Sequence, residues 1–323
     1  MQPRRLLAAT ATALLVGAAT ACGDEATGFG ADGRLAVVTA FYPLQFLSER
    51  IGAGAVAVTQ LTKPGAEPHD VELNPRQVAQ ISDAGLVVYL KGFQPAVDEA
   101  VQQEAADKAL DAGSVVELLP ADGHEHVPGE EEHAEGAADP HVWLDPLRFA
   151  SIADRLAERL GQTDPAHAAD YTSRALALHA ELDALNTEYA TGLQNCARRE
   201  IVTSHTAFQY LADRYALTEV GITGVSPESE PSPQRLAHVA TQAKATGTTT
   251  IFFETLVSPK VADTIAREVG AQTAVLDPLE GLTEPNADYP SDRPTATLDQ
   301  TEDYFSVMRG NLAALTTALG CTS

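Results

Sequence analysis

Between Ala168 and Leu193 the apolar residues fall on one helical face without a break. Ala168, Tyr171, Ala175, Leu178, Leu182, Leu185, Tyr189 and Leu193 recur at spacings of three and four. Asp164 and Pro165 supply the start signal, so the stretch predicts a single helix of about 28 residues, on the order of 40 Å at 1.5 Å rise per residue. An amphipathic helix, "DPLRFASIADRLAERL", precedes it and is closed by Gly161. A continuous helix of that length in mid-chain acts as a stiff spine rather than a flexible linker, and it divides the chain into two halves.

Both halves alternate strand and helix signals. In the first, "LAVVTA", "AVAVTQL" and "GLVVYL" read as strands. "NPRQVAQISDA" reads as a helix with Asn74 as N-cap and Pro75 at its first position, and "QPAVDEAVQQEAADKA" as another. In the second, "REIVTSH", "TTTIFFET" and "AQTAVLD" are strands, interleaved with helices in "TAFQYLADRYA", "SPQRLAHVATQAKATG", "SPKVADTIAREVG" and "DYFSVMRGNLAALTTALG". Strands separated by helices indicate parallel sheets. The fold class is therefore α/β, with two parallel-sheet lobes bridged by one long rigid helix. The expected boundaries are an N-terminal lobe over 35–161, a linker helix over 162–194 and a C-terminal lobe over 195–323.

The N-terminus fixes the compartment. Arg4 and Arg5 precede an uncharged stretch from Leu6 to Ala21 that ends in a small-residue cleavage pattern. Residues 1–21 read as an export signal and 22–34 as a tether. Cys22, directly after the small residues, resembles the lipidated cysteine of a bacterial lipoprotein; without lipidation the product is periplasmic or secreted. Loss of the signal removes two of 21 basic residues and none of 45 acidic ones, so the net charge falls below the −24 of the full chain. So acidic a protein is a poor partner for nucleic acid or anionic lipid. With Cys22 assigned to lipid, Cys196 and Cys321 are left as one pair in an oxidising compartment, far from any redox or zinc-type cysteine spacing, and are expected to form a disulfide.

Four potential metal ligands stand out, at least three of them where α/β sheets place ligands, just beyond strand ends. His69 follows "AVAVTQL", His205 ends "VTSH", Asp277 ends "TAVLD", and His141 sits in the turn before "WLDP". Three imidazoles and one carboxylate suit Zn²⁺ at about 2.0–2.2 Å per ligand. A strand-end histidine by itself is more often a hydrogen-bonded surface or core residue, and position alone leaves both readings open. His167, His179 and His238 lie in helical stretches and read as structural. A loop over 121–138, rich in acids and carrying His124, His126 and His133, could equally be a solvated segment or an auxiliary metal-capturing one.

The segments "KPGAEPHDVELNPRQV", "DPHVWLDP", "SHTAFQYLADRYAL", "GVSPESEPSP", "FFETLVSPKVADTIAREVGA" and "LDPLEGL" resemble, in order and spacing, the metal-binding proteins that serve zinc and manganese ABC transporters. The resemblance implies a metal site in the cleft between the lobes, with His69, His141, His205 and Asp277 as ligands. It also implies an ABC permease in the cytoplasmic membrane as partner, a monomer, and Zn²⁺ as transported ligand rather than catalytic cofactor. His205, in an "SHxAFxY" context, is the zinc-type residue; manganese-type members carry Glu there. Zinc-type members often carry a His- and acid-rich loop between the first two ligands, which matches 121–138. Glu67, Glu228, Glu230 and Glu254 are further carboxylates that could replace Asp277. The alternatives are a manganese or other divalent-metal carrier of the same family, or a zinc hydrolase, which would need an open coordination position and a general base.

Overall fold

The apolar runs before the spine helix build one four-stranded parallel sheet, and those after it build another. A computed structural model describes residues 28–121, 138–282 and 303–322. In the first sheet β1 (Leu35–Thr39), β2 (Val56–Gln60), β3 (Leu86–Tyr89) and β4 (Ala109–Asp111) lie in the order β2-β1-β3-β4, all parallel. Parallel neighbours need crossovers. These are α1 (Tyr42–Gly52), α2 (Pro75–Asp83) and α3 (Pro95–Glu104). The expected cap of α2 is present in full: the Asn74 side chain accepts from the amides of Arg76 and Gln77, and the Gln77 side chain returns to the Asn74 amide.

Helix α4 (Pro146–Thr163), capped by Asp145, follows. The spine begins with a 3-10 turn at Pro165–His167 and continues as α5 (Ala168–Gly192), 25 residues long. The residues that defined its apolar face, Tyr171, Ala175, Leu178, Leu182, Leu185 and Tyr189, are all buried. The helix packs along α4 and α1, and further on meets the second lobe, where Tyr189 stacks on Tyr215 with ring centroids 5.1 Å apart.

The second sheet repeats the first. Strands β5 (Glu200–Thr203), β6 (Thr218–Gly221), β7 (Thr250–Phe253) and β8 (Gln272–Val275) lie in the order β6-β5-β7-β8, again all parallel. Helices α6 (Gln209–Tyr215), α7 (Pro233–Thr246) and α8 (Lys260–Val269) make the crossovers, and α9 (Tyr304–Leu319) closes the chain against α5 and β8. One apolar core runs from the first lobe through α4 and α5 to α6, Phe252 and α9, so the lobes share an interior. A second, smaller cluster lies under α7 and α8.

Cys196 and Cys321 are disulfide-bonded across 125 positions, joining the residues just after α5 to those just after α9. Chain-entropy reasoning gives such a loop roughly 4–5 kcal/mol. Cys22 and residues 1–21, expected as an export signal, and His124, His126 and His133, expected to capture metal, lie outside the described residues. No helix among the described residues is long and apolar enough to cross a membrane.

Candidate metal centre

The ends of the two sheets face each other, and four side chains meet between them. His69 comes from the loop after β2, His141 from the turn before α4, His205 from the turn after β5, and Glu280 from the loop after β8. One ligand atom from each lies within 4.8 Å of all the others. The Nε2 atoms of His69, His141 and His205 stand 3.2, 3.1 and 3.2 Å from Glu280 Oε1, and those of His141 and His205 are 3.3 Å apart. For bonds of about 2.0–2.1 Å, the edge of a tetrahedron is about 3.3–3.4 Å. Four of the six separations thus lie near the edge of a zinc tetrahedron, and the two between His69 and the other histidines lie within 4.8 Å. His141 and His205 are fully buried, Glu280 is 1% exposed, and the His69 side chain is 9% exposed.

Each element fixes its side chain by local chemistry. Asp139 Oδ1 accepts from the His141 amide at 2.9 Å and pairs with its Nδ1 at 2.7 Å, so Nε2 must face the cleft. Glu254 Oε1 does the same for His205 Nδ1 at 2.6 Å and also receives the Ser204 hydroxyl. Below the His205 turn, Glu219 Oε1 accepts from Thr203 Oγ1 and the Phe208 amide. His69 rests edge-on against Phe93, ring centroids 4.5 Å apart, and its amide donates to Glu67 Oε1 at 3.0 Å. Trp143, the chain's only tryptophan, crosses the lobe boundary: its Nε1 donates to the Pro278 carbonyl at 2.7 Å, two residues before Glu280.

These surroundings set the charges. Burial by itself would lower both deep imidazoles, but the carboxylates override it. Asp139 and Glu280 lift His141 to about 9, and Glu254 and Glu280 hold His205 well above the usual range. Burial prevails at His69, whose pKa is lowered despite Glu280. Burial would raise Glu280, yet the three histidines hold it well below the ordinary carboxylate range. Burial, reinforced by Glu280, pushes Glu67 up to about 8.

Asp277, expected as the fourth ligand, is not part of this cluster, and Glu280 stands there instead. Its Oδ1 accepts from the Leu279 amide at 2.7 Å and its Oδ2 from Thr255 Oγ1 at 2.7 Å, while Asn311 brackets its backbone. The carboxylate is spent on a turn. Leu279 adopts a positive φ of 57°, and the chain reverses so that Glu280, not Asp277, enters the cleft. The turn has a sequence signal, because Asp-Pro favours turn initiation and an Asp side chain that bonds two residues ahead is already committed. Of the other acids considered, Glu254 backs His205 and Glu67 backs the His69 amide, while Glu228 and Glu230 are exposed. His167 and His179 pair with Asp164 and Asp154, at 2.6 and 2.8 Å.

Residues 37–318 match the family model of the periplasmic zinc-uptake complex component A, ZnuA. The chain belongs to the ZnuA family. It is 35% identical over 312 residues to the high-affinity zinc uptake system protein ZnuA of Bacillus subtilis, covering 93% of each chain. It is 34% identical over 323 residues to the zinc-binding lipoprotein AdcA of Streptococcus pneumoniae, covering 98% of this chain and 60% of that one. The chain thus spans little more than half the length of the AdcA relatives it matches. Among solved structures, the Zn(II)-bound ZnuA-like domain of S. pneumoniae AdcA superposes with a TM-score of 0.71 at 33% identity, covering 89% of this chain and 99% of that one. The two-lobed ZnuA architecture is shared across that whole domain.

Proposed function

We propose that this chain is an extracytoplasmic, non-enzymatic carrier that binds one Zn²⁺ at high affinity and delivers it to an ABC importer. The observation that carries the reading is the buried meeting of three Nε2 atoms and Glu280 Oε1 within 4.8 Å of one another, each Nε2 3.1–3.2 Å from that oxygen. His69, His141, His205 and Glu280 are the ligands in this reading. A nitrogen-rich, four-coordinate set favours Zn²⁺ over Mn²⁺, which prefers more oxygen ligands. Cu²⁺ would bind such a set tightly too, so the biological metal follows from supply as well as affinity. Four protein ligands fill a tetrahedron and leave no position for the activated water of a zinc hydrolase.

The names of the B. subtilis and S. pneumoniae relatives, a zinc uptake protein and a zinc-binding lipoprotein, support the same assignment and an anchor at Cys22. Residues 1–21 would then be removed on export and 22–34 would tether the two lobes, as a monomer, to the outer face of the cytoplasmic membrane. In this reading the loop over 121–138, through His124, His126 and His133, captures zinc transiently near the cleft. Metal analysis of protein purified without added metal, followed by competition between Zn²⁺ and Mn²⁺, tests the core of it. One zinc per chain that excess Mn²⁺ does not displace is expected; preferential retention of Mn²⁺ would refute the assignment.

A further inference from the structure

Helix α6 gives no ligand to the histidine cluster, yet it grips the segment that delivers His141. Tyr210 is fully buried, and its hydroxyl donates to the Asp139 carbonyl at 2.6 Å while accepting the Leu119 amide at 2.8 Å. The Gln209 amide, with its nitrogen toward these acceptors, donates to the Pro120 carbonyl at 3.0 Å and to Asp139 Oδ2 at 2.9 Å. Further along the helix the Arg214 guanidinium meets Asp145, the buried cap of α4. Arg148 of α4 in turn lies over the Tyr210 ring, 5.0 Å from its centroid. Asp139 is therefore held at its carbonyl by Tyr210 and at Oδ2 by Gln209, leaving Oδ1 for the His141 amide and Nδ1. The same short helix is entered through the turn that carries His205.

We propose that Tyr210, assisted by Gln209, is a positioning residue for metal capture. It fixes Asp139 from the opposite lobe, and through it the His141 ring, at a metal-spanning 3.3 Å from His205 before the metal arrives. A carboxylate that orients a ligating imidazole works only as well as it is itself oriented. Because α6 begins four residues after His205, the grip on Asp139 and the His205 turn lie on one short stretch of the second lobe, which ties the His141–His205 separation to that stretch. The inference rests on the zinc reading above.

The test compares Tyr210→Phe with Tyr189→Phe. Tyr189 is equally buried and donates its hydroxyl to the Met308 carbonyl at 2.6 Å, on the α5–α9 contact. Zinc dissociation into a chelator, the visible spectrum of the Co²⁺-loaded protein and the metal-free melting temperature are measured for both. Tyr210→Phe is expected to release zinc at least about tenfold faster than Tyr189→Phe, as disturbed outer carboxylates do elsewhere. It should also shift the Co²⁺ spectrum, which Tyr189→Phe leaves at wild type, while the two melt alike. Gln209→Leu, which leaves the Tyr210 hydroxyl in place, should move rate and spectrum in the same direction by less. Wild-type rates and spectrum in both Tyr210→Phe and Gln209→Leu would overturn the proposal. If Tyr210→Phe does not fold, Gln209→Leu decides by the same criterion. Wild-type protein that takes up neither metal would instead refute the zinc reading itself.

Discussion

The two lobes have the same sheet, strand for strand, but they equip the cleft differently. The first offers two imidazoles, from beyond its edge strand β2 and from the segment entering α4; the second offers one imidazole after its inner strand β5 and a carboxylate after its edge strand β8. The contrast in environment runs by depth instead of by lobe. His141 and His205, one from each lobe, are fully buried and each backed by a carboxylate, whereas His69 leans on an aromatic ring and keeps a little contact with solvent. Sheet topology thus brings the ligands together, and the buried acids behind two of them set how firmly they are aimed and how they are charged.

The sharpest way to break this contrast is to remove ligands one at a time. His141→Ala and His205→Ala should each weaken zinc binding on the order of a thousandfold or more, since each deletes a ligand and strands a buried carboxylate. His69→Ala should cost less, because water can reach its position. Competition against a chelator of known affinity measures all three, and a larger loss for His69→Ala would reverse the ordering by depth.

Next in size is the exchange between two acids three residues apart. Glu280→Gln should weaken zinc binding by about a hundredfold, removing a charged ligand at unchanged size. Asp277→Asn should leave affinity close to wild type and lower stability by about 1 kcal/mol through its weakened turn bonds. Calorimetric titration alongside thermal melting separates the two, and the opposite pattern would restore Asp277 as the fourth ligand.

Protonation yields a smaller and pH-dependent effect. In the metal-free site His141, with a pKa near 9, and His205, raised well above its ordinary value, both hold protons at neutral pH. Zinc requires the neutral ring, so affinity should keep rising as pH climbs from 7 towards 9, with net proton release on zinc binding at neutral pH. Stability of the metal-free chain should move the other way. A histidine raised in the folded state stabilises fully below its unfolded pKa of about 6.5, and that contribution is lost as pH rises through the folded value. Buried Glu67, raised to about 8, acts in the same direction, because the folded state retains its proton longer. Zinc titrations in buffers of different ionisation enthalpy, with melting curves from pH 6.5 to 9.5, check both trends; parallel trends would contradict the protonated deep pair.

The smallest expected effect is that of deleting residues 122–137. One tight zinc-binding phase should survive almost unchanged, since the four clustered side chains lie outside that span, while weaker additional equivalents disappear. Loss of the tight phase would put a loop histidine among the ligands.

Much of this was legible in the sequence, for physical reasons. Long apolar periodicity marked α5, and the Asn74-Pro75 start marked α2, because many residues or a strong local cap carry those signals. Short elements carry little. Strand β4, three residues long, and β6, four long with only Val220 and Gly221 buried, have no readable alternation, and tertiary pairing makes them strands. Helix α1 lay unmarked because its buried face takes up most of its residues, leaving no polar side to set a period. At the site, the three histidines were placed by strand-end position and motif. Glu280 was not, because its entry into the cleft depends on the backbone of Leu279 and on the prior use of Asp277, a competition that spacing alone does not display.

The hydrogen-bonded trio around Glu280 Oε1 has a consequence for how a loaded carrier can be told from an empty one. Before loading, the carboxylates around the deep pair favour protons on its imidazoles; afterwards a divalent cation takes over the positive charge those protons carried. Proton release offsets part of the incoming charge, so electrophoretic mobility and the long-range potential over the cleft mouth should change less than a bare divalent charge would make them. A membrane partner sensing charge at a distance would receive a muted difference between the two forms. Discrimination must then be read from shape, at contact, through whatever shift in the lobes or their surface loops follows when proton bridges are replaced by metal bonds.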